Sequence, residues 1–60
     1  MIKYTVEVRG ERNSVAVTHK SKALWVATGK FRGNAIVGEG RTEPASLRAW
    51  KRAAEKSDHL

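Results

Sequence analysis

The chain has 60 residues, 12 Lys/Arg against 6 Asp/Glu, and no cysteine. This is the length of one small domain with a net charge of +6 and neither a disulfide nor a thiolate metal site. Hydrophobic residues make up 40% and charged residues 30%, which excludes a wholly disordered chain. The longest apolar run, Ala23 to Ala27, is too short to cross a bilayer or to form a signal-peptide core. The expectation is therefore a cytoplasmic protein with no membrane partner.

From Ile2 to Arg9 the apolar residues Ile2, Tyr4, Val6 and Val8 alternate with Lys3, Thr5, Glu7 and Arg9. A strict period of two, rich in β-branched residues, predicts a half-buried strand over 2–9. Gly10 to Asn13 reads as a polar turn, with Gly10 and Asn13 suited to positive φ. Val15 and Val17 mark a second strand over 14–18, and His19 to Lys22 a polar connection. The third strand, 23–31, opens with an apolar run in which Leu24 and Val26 face one way and Trp25 the other. Gly33-Asn34 supplies the next turn. A further strand over 34–39 carries Ala35, Ile36 and Val37 and is closed by Gly38 and Gly40.

The pattern then changes to that of a helix. Thr42 can cap, Glu43 is an acid in the first turn, and Pro44 stands where a missing N–H costs little. Leu47, Trp50 and Ala54 recur at spacings of three and four, with Ala53 beside them. Arg48, Lys51, Arg52 and Glu55 fall on the other face. This predicts an amphipathic helix over 43–57, followed by a frayed tail at Asp58, His59 and Leu60. The expected fold is α+β: an antiparallel meander of three to four strands with one C-terminal helix packed on one face, in a single domain over 1–60. Leu47 and Trp50 should rest on Tyr4, Val6, Val17 and Ile36. The other face is then either solvated or an interface. So small a core also favours self-association as added support.

The excess charge is uneven. Residues 1–42 carry eight Lys/Arg against Glu7, Glu11 and Glu39, a net of +5, whereas residues 43–60 carry only +1. Basic residues around strands and turns can reach phosphates and release counterions, giving affinity without base reading. The candidate contacts are Arg9, Arg12, Lys20, Lys22, Lys30, Arg32 and Arg41, with Arg48 and Arg52 on the helix. Aromatic residues are few: Tyr4, Trp25, Phe31 and Trp50, and Lys30-Phe31-Arg32-Gly33 offers no aromatic pair for stacking bases.

Three segments together carry a likeness to a known family: Trp25-Val26-Ala27-Thr28, Ile36 through Thr42, and Ala45 through Ala54. From Ala23 onward the chain resembles the C-terminal portion of a double-stranded RNA-binding domain, which ends with two strands, a Gly-x-Gly-x-Ser/Thr segment and an alanine-rich helix. The resemblance implies phosphate contacts at the helix start. In place of the family's lysine pair, however, this chain has Glu43-Pro44, with Arg41, Arg48 and Arg52 as the nearest substitutes, and no first helix precedes Tyr4. The order of elements is also similar to that of integrase arm-binding domains. The Gly40-Arg41-Thr42 junction is similar to that of small antitoxin subunits. More loosely, the chain resembles the short proteins common in soil proteobacteria.

Catalytic, metal and cofactor chemistry is not expected. His19 lies in a polar connection and His59 in the tail, neither beside a carboxylate that would make it a base or ligand. Gly38-Glu39-Gly40 lacks the remainder of a phosphate loop, and Ser14, Ser21, Ser46 and Ser57 lack a base and orienting acid. Glu7 and Glu39 are the one carboxylate pair that a sheet might bring together. The expected function is non-enzymatic binding to the phosphates of DNA or RNA. The alternative is a protein-interaction or homodimerisation module without nucleic-acid binding, motivated by the apolar run Ala23–Ala27.

Overall fold

The computed structural model describes residues 2–57, and the expected tail at Asp58, His59 and Leu60 lies outside them. The elements are β1 (Ile2–Val8), β2 (Glu11–Ser21), β3 (Leu24–Phe31), β4 (Asn34–Gly40) and α1 (Glu43–Ser57). The four strands form one antiparallel sheet in the order β1-β2-β3-β4, and α1 packs on one face of it, so the class is α+β.

The turns are tighter than the sequence pattern suggested. Val8 pairs with Glu11 and Phe31 with Asn34, leaving two-residue turns at Arg9-Gly10 and Arg32-Gly33. All four turn residues have positive φ, 50° and 80° in the first turn and 52° and 84° in the second. This is the type I′ geometry whose twist matches that of the flanking strands. The left-handed positions therefore fall on Arg9 and Arg32 rather than on Asn13 or Asn34, and both asparagines sit in strands. Once the turn is this short, Glu11, Arg12 and Asn13 continue the ladder opposite β1, because backbone pairing is indifferent to side-chain polarity. At its other end β2 runs on through His19 to Ser21 against Trp25 and Leu24, with a register shift between His19 and Ser21. Much of the expected polar connection is strand.

The register assigns the faces. Tyr4, Val15, Gly29 and Ile36 form one cross-strand row, and Ile2, Val17, Ala27 and Gly38 the next. These rows face the helix. The core is Val8, Val15, Val17, Ala27, Phe31, Ile36, Trp50 and Ala54, with Leu47 and Tyr4 packed against it. Trp50 is fully buried, and its Nε1 donates to the Ile36 carbonyl at 3.0 Å.

Gly29, Gly38 and Gly40 explain how so large a ring fits. A Cβ added at Gly38 would lie 2.2 Å from the Trp50 backbone N, and one at Gly40 would lie 2.5 Å from Ser46 N. Gly40 closes β4 as the sequence pattern implied, whereas Gly38 lies inside the strand. They form a slot along β4 into which the helix backbone settles. The two contacts also fix the direction of α1, which starts beside Gly40 and runs antiparallel to β4. Thr42 caps it, its Oγ1 accepting from Ala45 N at 3.2 Å and its carbonyl from Ser46 N at 3.0 Å.

Candidate nucleic-acid interface

A meander sends alternate turns to opposite ends. The two Arg-Gly turns share one end of the sheet. The β2–β3 turn and the β4–α1 junction share the other. The nine candidate cations divide accordingly. Arg9, Arg12, Lys30 and Arg32 lie toward the Arg-Gly end, Lys20, Lys22 and Arg41 lie at the opposite end, and Arg48 and Arg52 are exposed on the helix.

The Arg-Gly end is partly neutralised. Arg32 Nε donates to Glu11 Oε2 at 2.7 Å, and the Arg32 guanidinium carbon lies 5.1 Å from the centre of the Phe31 ring. Arg12 stands directly across from Glu7. An anion approaching this end competes with carboxylates already in place.

The opposite end differs. His19 and Trp25 are cross-strand partners, and their rings stack with centroids 4.1 Å apart and planes 9° from parallel. His19 is exposed and Trp25 half-buried. Lys20 and Lys22 follow His19 into the turn and are exposed. Trp25 pairs in turn with Gly40, which brings the exposed Arg41 to the other side of the stack. Two carboxylates lie near this end. Glu39 pairs with Val26, one residue out of phase with Trp25, and so points to the opposite face of the sheet. Glu43 Oε1 accepts a hydrogen bond from the Tyr4 hydroxyl. That bond, together with desolvation and the Glu43 charge, raises the Tyr4 pKa above its usual value. The site is thus a short aromatic stack at an end of the sheet whose turn and junction also carry the exposed Lys20, Lys22 and Arg41, with Glu39 and Glu43 as the nearby acids.

Reading the sequence by segment missed this pair. His19 appeared as part of a loop and Trp25 as part of an apolar run. The two-residue turn at Lys22-Ala23 would by itself set Lys20 opposite Trp25, and it is the register shift between His19 and Ser21 that brings His19 there instead. The helix was also underestimated. Arg48, Lys51, Arg52 and Lys56 are all exposed, at the spacing of one helix face, while Glu43 turns toward Tyr4. The outward face thus carries four cations, with the half-buried Glu55 among them. Lys51 and Lys56 belong with Arg48 and Arg52.

Glu7 and Glu39 do not approach each other. They lie on β1 and β4, the two edges of the sheet, and toward opposite ends of it, Glu7 beside the Arg9-Gly10 turn and Glu39 beside the junction with α1. Among the described residues there is no group of three or more His, Cys, Asp or Glu that could hold a metal ion, and no pocket. Ser46 is buried and donates to the Glu43 carbonyl at 2.8 Å, a local bond within the first helical turn. No described helix is long and apolar enough to cross a membrane.

No family model, no curated protein and no solved structure matches the chain.

Proposed function

We propose that this protein is a non-enzymatic nucleic-acid-binding module that takes a flexible or single-stranded segment at the end carrying His19 and Trp25. The supporting observation is the 4.1 Å ring stack at the end of the sheet that also carries Lys20, Lys22 and Arg41. A nucleobase has a π-face that extends such a stack, and the phosphates on either side of it meet the cations. Stacking tolerates any base, so the binding is largely indifferent to sequence. The basic outer face of α1 and the arginines of the Arg-Gly end add attraction at longer range, which speeds encounter more than it fixes geometry.

Fluorescence anisotropy with labelled single-stranded and duplex oligonucleotides tests the reading. Binding should weaken with salt with a logarithmic slope of about −2 for three phosphates on a single strand. Trp25→Ala should weaken it by about tenfold or more, since a stacked base contributes ~1–3 kcal/mol. Absence of binding to any oligonucleotide at low ionic strength refutes the proposal. Binding that is unchanged in Trp25→Ala refutes the placement of the site.

A further inference from the structure

β1 is an open edge of the sheet, and its backbone phase follows from its turn. A two-residue type I′ turn closes on a hydrogen-bonded pair, here Val8 and Glu11. Alternation along the ladder then directs the N–H and C=O groups of Val6, Tyr4 and Ile2 toward β2. Asn13 Nδ2, which lies 3.4 Å from the Val6 carbonyl on that side, agrees with this phase. The backbone groups of Lys3, Thr5 and Glu7 therefore point away from the sheet, without a ladder partner in β2.

The side chains of the same three residues form an ordered set. Lys3, Thr5 and Glu7 are exposed on the face away from the helix, and their charges are opposite at equal distances from Thr5. Charged residues on an edge strand usually repel another edge. A sequence that changes sign about its own centre instead complements itself when inverted. On the helix side of the same strand, Ile2 is 46% exposed.

We infer that β1 pairs antiparallel with β1 of a second copy of this chain, on a two-fold axis through Thr5. In this register Lys3 opposes the partner's Glu7 and Glu7 the partner's Lys3. Thr5 meets its own counterpart, and the outward backbone groups of the three pairs exchange about six hydrogen bonds. Ile2 falls opposite the partner's Val8, and Tyr4 opposite the partner's Val6, so apolar neighbours meet on the helix side. Shifting the register by two residues in either direction loses both the charge matches and backbone pairs. The other edge cannot serve in the same way. α1 lies directly on β4 at Gly38 and Gly40, and joining two β4 edges would bring the helices nearer than the 8–10 Å that packed helices require. A dimer through β1 keeps the helices far apart and places the two His19–Trp25 stacks at opposite ends of a continuous sheet. The inference does not depend on nucleic-acid binding, which involves other residues.

Sedimentation equilibrium on the full chain tests it, with circular dichroism to confirm that each variant is folded. The wild type should show a mass twice 6.7 kDa at protein concentrations up to about 1 mM. Lys3→Glu places acid opposite acid at two symmetric positions and should raise the dimer dissociation constant about thirtyfold, as should Glu7→Lys. The double exchange K3E/E7K restores opposite charges and should return the constant to within about threefold of the wild type. Thr5→Pro removes an outward N–H that the monomer does not use, and should give a folded monomer. A wild type that remains monomeric throughout overturns the inference. So does a dimer that survives Thr5→Pro, or a double exchange that fails to restore association.

Discussion

Replacing Gly38 by alanine tests the packing of α1 on the sheet. The added Cβ would sit 2.2 Å from Trp50 N, 2.6 Å from Trp50 Cα and 2.8 Å from Ala49 C. All three are helix backbone atoms, so no rotamer change relieves the contact. Ordinary separations begin near 3.4 Å, and the helix must lift by about 1 Å. A lift of that size forfeits about a quarter to a half of the dispersion energy of the atoms beneath it, and here those atoms surround the fully buried Trp50. Overpacking of this kind costs ~1–3 kcal/mol. Alanine lowers the entropy of the unfolded chain relative to glycine, which offsets ~0.5–1 kcal/mol. The clash exceeds that gain because it acts on the largest core side chain, so a net loss of about 2 kcal/mol is expected. Total stability for a chain of this length is about 3–9 kcal/mol, and the melting temperature should fall by ~8–16 °C. Thermal melts followed by circular dichroism read this directly. Gly33→Ala is the control: no atom lies within 4 Å of its Cβ. Its cost comes only from the left-handed backbone at φ +84° and should be about 1 kcal/mol. A Gly38→Ala protein melting within about 2 °C of the parent would refute the slot.

Trp50→Phe removes the bond to the Ile36 carbonyl and part of the ring volume, and should cost about 2 kcal/mol in urea titrations. Glu11→Ala breaks the pair with Arg32, but both side chains are about half exposed (49% and 47%), so stability should change by no more than about 0.5 kcal/mol. The Tyr4 phenol is held above its usual pKa by Glu43. Above about pH 10 the unfolded chain then releases this proton more readily than the folded one, and the contribution to stability is present below that pH and lost as pH rises through the folded value. Ultraviolet titration of tyrosinate should place the transition above the free-phenol value and move it back toward that value in Glu43→Gln. An unshifted wild-type transition would remove the predicted alkaline loss.

The fold was legible where side-chain periodicity carries the information. The period of two in β1 and the three-and-four spacing of Leu47, Trp50 and Ala54 identified both element types. The helix bounds, 43–57, coincide with the observed Glu43–Ser57. Errors clustered at the turns. Arginine is an uncommon occupant of the left-handed region, so Arg9-Gly10 and Arg32-Gly33 gave a weaker signal than Asn-Gly would, and the asparagines nearby drew the turn positions toward themselves. The role of Gly38 was hidden for a different reason. A glycine that ends a strand and one that admits a helix look alike in sequence, and only the position of Trp50 separates them. The candidate site shows the same limit. The cations were visible as charge, but their division between two ends is set by topology, and the His19–Trp25 stack by a register that no single segment specifies.

Each strand of the meander pairs only with its neighbours along the chain. The sheet can therefore assemble by successive short closures, each with a small entropic barrier, and rapid folding for a mostly β protein is the expected consequence. The hydroxyl of Tyr4 reaches across 39 positions to Glu43, and joins the first strand to the last element only after everything between them has been laid down.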